Sequence, residues 1–375
     1  MTTSQVSLPN PRTWANGDLV TVPRLRADAV NAIALLAQRP YFVGQRSLGD
    51  SWANATDLAL PLDVELTDAW NGHLAPPATG TAPYWCPLPG WYLCDARIPF
   101  AYTSATAAPF MAGWQGLNNG VAFGPVHGAI TANGSTSGTI IPRAVDLIQQ
   151  TVSGAPGGSG DWVQATARQD SGGSVNLQSL AYCQPTVSVR WVCANSGSIV
   201  SLPVLGAVPT PITSAWLNAN VRDTVKFLSY PPICKAHYTA GASTVPNNSL
   251  ATPAVINLTT VDVDTYSTFT TGAAAKYAAP YSGRYYLAGQ ITFAASSTAT
   301  TYACGLLVNG TTLYYGGIVR FAGTSLAGGA SVTKRLRLTF GDTVQLVAVQ
   351  QSGGALAYNT TASNQTRFIS VWEGL

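Results

Sequence analysis

The chain has 375 residues with a formal net charge of +3 and only 9% charged residues, and it carries 36 glycines and 24 prolines. The length suggests two or three domains. The weak charge argues against nucleic-acid binding, which needs a clustered basic surface, and the turn-rich, aromatic-bearing composition argues for an all-β protein and against a disordered chain.

Residues 1–20 are polar and punctuated by Pro and Gly, and read as an extended arm. Met1-Thr2-Thr3-Ser4-Gln5 shows neither the basic segment nor the apolar core of a secretory signal, so synthesis in a cytoplasm is expected. No apolar run is long enough to span a bilayer, so no membrane insertion is expected. A first helix is predicted from Pro23 to Gln38, ending before Pro40. Val22, Leu25, Ala29, Ala32 and Leu36 alternate spacings of three and four, a short heptad stripe. Two heptads do not stand alone in water. The helix therefore needs its own domain as partner, or copies of itself from other subunits.

A run of short strands follows. Pro87-Leu88-Pro89-Gly90-Trp91-Tyr92 forms a P-x-x-G-x-Y signature. Asn119-Gly120 is a hairpin turn, and Gly160-Asp161 opens a strand that ends in Gln169 and Ser171-Gly172-Gly173. A second helix is predicted from Thr213 to Tyr230, before Pro231-Pro232, with Leu217, Val221, Thr224 and Leu228 as its stripe.

The strand pattern then repeats. Pro280-Tyr281-Ser282-Gly283-Arg284-Tyr285 restores the signature, Asn309-Gly310 the hairpin, and Gly341-Asp342 with Gln350 and Ser352-Gly353-Gly354 the later turn and strand. One offset carries Gly160, Gln169 and Trp191 onto Gly341, Gln350 and Trp372. A tandem duplication follows. The expected organisation is an N-terminal arm and helix over 1–50, a first β-domain over 51–198, a linker and second helix over 199–235, and a second β-domain over 236–375. Arg335 to Phe340 is expected as a strand with Leu and Phe inward, and residues 152–160 and 322–331 as mobile loops.

Chemistry-bearing patterns are scarce. His73, His127 and His237 lack metal-ligand spacing, and neither a G-x-S-x-G elbow nor a phosphate-binding loop is present. No enzyme and no cofactor is expected. Asp63/Glu65 and Asp262/Asp264 sit at i and i+2, so each pair would face one side of a strand, as Ca²⁺ candidates or as a solvated face. Lys334, Arg335 and Arg337 read as a solvated strand face. Trp114, Tyr314 and Tyr315 are candidate surface contacts, with core packing the competing reading. Cys86–Cys94 and Cys183–Cys193 could each pair across a turn. The second copy lacks equivalents and a cytoplasmic product starts reduced, so both pairs stay open.

The order of these signatures resembles the C1q/TNF-like jelly-roll superfamily. The resemblance implies two tandem jelly-roll β-sandwiches, each preceded by a short helix. A second resemblance lies in Pro11-Arg12-Thr13-Trp14-Ala15-Asn16-Gly17-Asp18 and in the second helix with its Pro231-Pro232. Both are similar to segments of actinobacteriophage minor tail proteins. This implies a virion structural protein, a homotrimer with tail or capsid proteins as partners and a host cell-wall glycan as a further one. Pro11, Arg12 and Trp14 become candidate virion anchors. A capsid decoration or head-fibre protein is the alternative, and a non-phage adhesin or lectin a second one.

Overall fold

The computed structural model describes residues 13–15, 18, 21–25, 29–30, 33–34, 36, 38–73, 83–102, 109–131, 138–154, 160–178, 183–197, 213–239, 243–294, 300–321, 328–358 and 365–375. Eight main strands build the first unit: β1 (Tyr41–Gln45), β2 (Val64–Asp68), β3 (Gly90–Arg97), β4 (Pro109–Asn118), β5 (Val121–Thr131), β6 (Arg143–Gln150), β7 (Trp162–Gln169) and β8 (Thr186–Cys193). They form two antiparallel sheets. One has the order β6-β3-β8-β1-β2, and the other runs β7-β4-β5 with Leu58–Ala59 on its edge.

The second unit repeats this plan with β9 (Ile233–His237), β10 (Thr260–Asp264), β11 (Gly283–Phe293), β12 (Thr300–Val308), β13 (Thr312–Phe321), β14 (Gly328–Leu338), β15 (Thr343–Gln350) and β16 (Arg367–Gly374). Its sheets run β14-β11-β16-β9-β10 and β15-β12-β13. Two facing sheets of eight strands in this order make a jelly roll, twice over.

The duplicated signatures have physical causes. Gly90 and Gly283 sit at φ +152° and +154°, and a Cβ there would lie 2.3 and 2.4 Å from the indole nitrogens of Trp191 and Trp372. Only glycine lets each strand start against its tryptophan. The signature tyrosine closes the turn: the Tyr92 hydroxyl donates to the Leu88 carbonyl and the Tyr285 hydroxyl to the Tyr281 carbonyl, both at 2.7 Å. Asn119-Gly120 and Asn309-Gly310 all take positive φ, the requirement of a tight hairpin turn. Buried Gln169 and Gln350 hold matching loops. Each amide donates to the Gly173 or Gly354 carbonyl, at 2.7 and 2.6 Å, and each side-chain oxygen accepts from the Ser171 or Ser352 N–H.

Several sequence expectations shift. Both jelly rolls start earlier than residues 51 and 236, because β1 and β9 complete the sheets by pairing with β8 and β16. Phe340 points outward at 76% exposure, since the strand ends at Leu338 and Phe340 falls in the turn. Residues 328–331, expected in a loop, begin β14, while 155–159 and 322–327 lie outside the described residues. All six cysteines are free thiols.

The second helical segment runs from Ser214 to Ser229, capped by the Thr213 hydroxyl accepting from the Trp216 N–H. It sits between the two units. Val225 enters the first core and Phe227 the second, where it meets Trp372 edge-on at 5.0 Å. In the first helix Ala29 and Leu36 are buried, and Leu36 joins the first core. No helix among the described residues is long and apolar enough to cross a membrane.

Candidate functional site: the seam between the units

Side chains alternate across a strand, so a sheet that buries both faces needs apolar residues at every position. The strands β11, β16 and β9 come close to this condition, with apolar side chains on both faces. Tyr285 and Leu287 enter the second core, while Tyr286 and Ala288 face the other way. There they join Ile233, Ile369 and Val371 against Trp91, Leu93, Val145, Leu147 and Val192 of the first unit. This third cluster is the seam. It lies between the outer faces of the two units, and β14 runs alongside β5.

Charged groups are locked into it. Asp146 stands among apolar neighbours in β6 and is buried. Its carboxylate receives Lys235 at 2.7 Å and Arg367 at 3.1 Å, both from the second unit, and the Leu147 N–H at 2.7 Å. Arg367 is 1% exposed and also donates to the side-chain amide oxygen of Gln290 at 3.2 Å. Burial alone pushes the Asp146 carboxyl up. The Arg367 and Lys235 charges and these hydrogen bonds together hold it below its ordinary value.

A polar groove opens beside the seam. One part, about 470 Å³, is lined by Asp95, Arg97, Ile141, Arg143, Thr186 and Ser188. A second part, about 240 Å³, shares Asp95 and Ser188 and continues past Arg190 to Tyr41, Tyr286 and Arg335. Arg143 grips Asp95 with two hydrogen bonds, and the Tyr286 hydroxyl donates to the same carboxylate at 3.3 Å. Glu373 is shared by Arg190 at 2.8 Å and Arg335 at 3.0 Å. The Arg335 guanidinium lies 5.4 Å over the Tyr286 ring.

The residues singled out from sequence fall elsewhere. Trp114 is fully buried and donates to the Ala144 carbonyl, so it is core and not a surface contact. Tyr314 is partly buried against the second core, and Tyr315 donates its hydroxyl to the Leu250 carbonyl. The acid pairs hold protein groups: Asp63 accepts from Ser47 and faces Arg46 at 3.6 Å, Glu65 lies 3.6 Å from His73, Asp262 meets His237 at 2.9 Å, and Asp264 accepts from Phe269. Among the described residues no group of three or more such side chains could hold a metal. Trp14 is 2% exposed; its backbone N–H donates to the Asn218 side-chain oxygen, and the Asn218 amide donates back to the Trp14 carbonyl. It is a plug on the second helix and not a free anchor. Pro11, Arg12 and Ala32 lie outside the described residues, as does the side chain of Leu25. Leu217 is buried, Val221 and Thr224 are partly covered, and Leu228 packs against both cores, so the second stripe serves its own units.

Neither the family models nor the curated proteins contain a match to this chain. Among solved structures, the globular domain of zebrafish complement 1qA covers 38% of this chain and 96% of its own, at 12% identity and TM-score 0.29. Murine APRIL at pH 5.0 covers 38% and 98%, at 9% identity and TM-score 0.28. The jelly-roll fold of each unit rests on the strand order and the paired signatures above.

Sequence reading missed Asp146, Lys235, Gln290 and Arg367. The signal was present. A lone acid inside Ala144-Val145-Asp146-Leu147-Ile148 needs a buried partner, and the apolar run Tyr285-Tyr286-Leu287-Ala288-Gly289, with no polar alternation, marks a strand buried on both faces.

Proposed function

We propose that this chain is a non-enzymatic structural protein of a phage virion, a homotrimeric minor tail protein near the tail tip. The observation that carries the reading is the seam. It joins two jelly rolls into one body through an apolar, charge-locked interface, a build suited to bearing load and holding binding surfaces at fixed spacing. The first helix supplies a surface for self-association. Val30 and Ile33 are 54% and 51% exposed beside buried Ala29 and Leu36. Apolar side chains on a helix too short to stand alone call for a partner, and copies from two further chains would meet that need. Each unit also presents an apolar tip beside its Asn-Gly turn: Val121 at 69% and Phe340 at 76% exposure. Three chains would multiply such weak contacts into avidity.

The test is mass spectrometry of gradient-purified virions together with light scattering of the purified chain. The proposal expects the chain among the virion proteins and a three-chain mass in solution. A chain absent from virions would remove the phage reading, and a monomer would remove the trimer.

A further inference from the structure

The two units differ in what they place on equivalent outer faces. The register aligns Tyr41, Asp95, Ser188 and Arg190 of the first with Ile233, Ala288, Ile369 and Val371 of the second. The apolar set is covered by the seam. The polar set lines the open groove. Duplication supplied one face twice, and at these four positions only the second copy carries the apolar side chains of the seam.

The groove is cationic. Among the described residues Arg97, Arg143, Arg190 and Arg335 line it with Asp95 as the one lining acid, and Glu373 pairs with Arg190 and Arg335. Arg97 is exposed and forms no ion pair among the described residues. It sits at one end, paired in register with Thr186. Tyr41, 39% exposed, stands at the other end. Arg97 lies four residue steps along the strand from Leu93, so the groove runs about 13 Å along the sheet, long enough for a short oligosaccharide. A second copy is a poor occupant. The exposed edge strand of the second unit carries Arg335 and Arg337, the same sign as the groove.

We propose that this groove binds an anionic saccharide, a sugar chain bearing carboxylate or phosphate groups. Arg97 takes the anionic group as a fork of donors. Ser188, Thr186 and the Asp95 carboxylate exchange hydrogen bonds with sugar hydroxyls, and the Tyr41 ring lies against a sugar face. The inference does not depend on the virion reading, since the groove belongs to a single chain.

The test is calorimetric titration of the full chain with a galacturonate oligomer, a hexose-phosphate oligomer and neutral maltohexaose. At least one anionic oligomer should bind, at least tenfold more tightly than maltohexaose and more weakly as salt rises. The two anionic arms separate carboxylate from phosphate recognition. Arg97→Ala should weaken that binding tenfold or more, and Thr186→Val should weaken it as well. Arg337→Ala, outside the groove, should leave it unchanged. Failure of both anionic oligomers to bind overturns the proposal, as does equal binding by wild type and Arg97→Ala. A fall in molecular mass of Arg97→Ala by light scattering would also overturn it, because the groove would then be a contact between chains.

Discussion

Replacing Asp146 with alanine should be the most damaging single change at the seam. The substitution removes the acceptor for Arg367, which is 1% exposed, and for Lys235, whose side chain is 15% exposed. Arg367 would stay buried with no counter-charge among the described residues, and Lys235 would keep only the more distant Asp262 at 3.8 Å. Breaking a buried pair in this way costs about 3–5 kcal/mol. Guanidinium unfolding should show that loss, and the melting temperature should fall by at least about 5 °C. The double replacement Asp146→Leu with Arg367→Met should recover most of it, because two apolar side chains leave no stranded charge and Lys235 keeps Asp262 at 3.8 Å. The pH dependence has a fixed sign. The Asp146 carboxyl lies below its ordinary value in the fold, so its contribution is complete above the unfolded value of about 3.9 and is lost as pH falls through the folded one. The gap between wild type and Asp146→Ala should therefore close on acidification below about pH 4. A gap of less than about 1 kcal/mol at pH 7 would show that the buried network is not formed.

Three further outcomes are expected. Gly283→Ala would place a Cβ 2.4 Å from the Trp372 indole nitrogen and 2.5 Å from the Gly374 carbonyl oxygen, and should cost more than about 2 kcal/mol. Gly310→Ala, at φ +67° with open space around it, should cost about 1 kcal/mol, so equal melting points for the two variants would refute the steric argument. Gln350→Ala strands the Val245 and Gly354 carbonyls and the Ser352 N–H, with an expected loss of about 2–3 kcal/mol in urea unfolding. Val30→Asp with Ile33→Asp should lower the solution mass while leaving the melting temperature nearly unchanged; an unaltered mass would place self-association elsewhere.

Much of the fold was legible because its cues are local. The Asn-Gly turns, the signature tyrosine that closes its own turn and the glutamine that ties its own loop act within a few residues. Each also occurs twice, which separates it from chance. The opening strands were harder to see. Ile233–His237 is short, directly follows a helix and Pro231-Pro232, and gains its identity only by pairing with β16. Phe340 misled because its alternation with Leu338 is perfect up to the residue where the chain turns. The seam lay beyond local cues altogether, since Asp146 and Arg367 are 221 residues apart. The groove was hidden for the same reason. It arises because the seam covers only part of the first unit's sheet and leaves the end at Asp95, Arg97 and Ser188 open, a difference visible only once the strands are in register.

The most direct test of the functional account is immunogold labelling of intact virions with antibody against residues 236–375, read by electron microscopy. Gold at the tail tip is the predicted result. Gold over the head, or none on the particle, would contradict it.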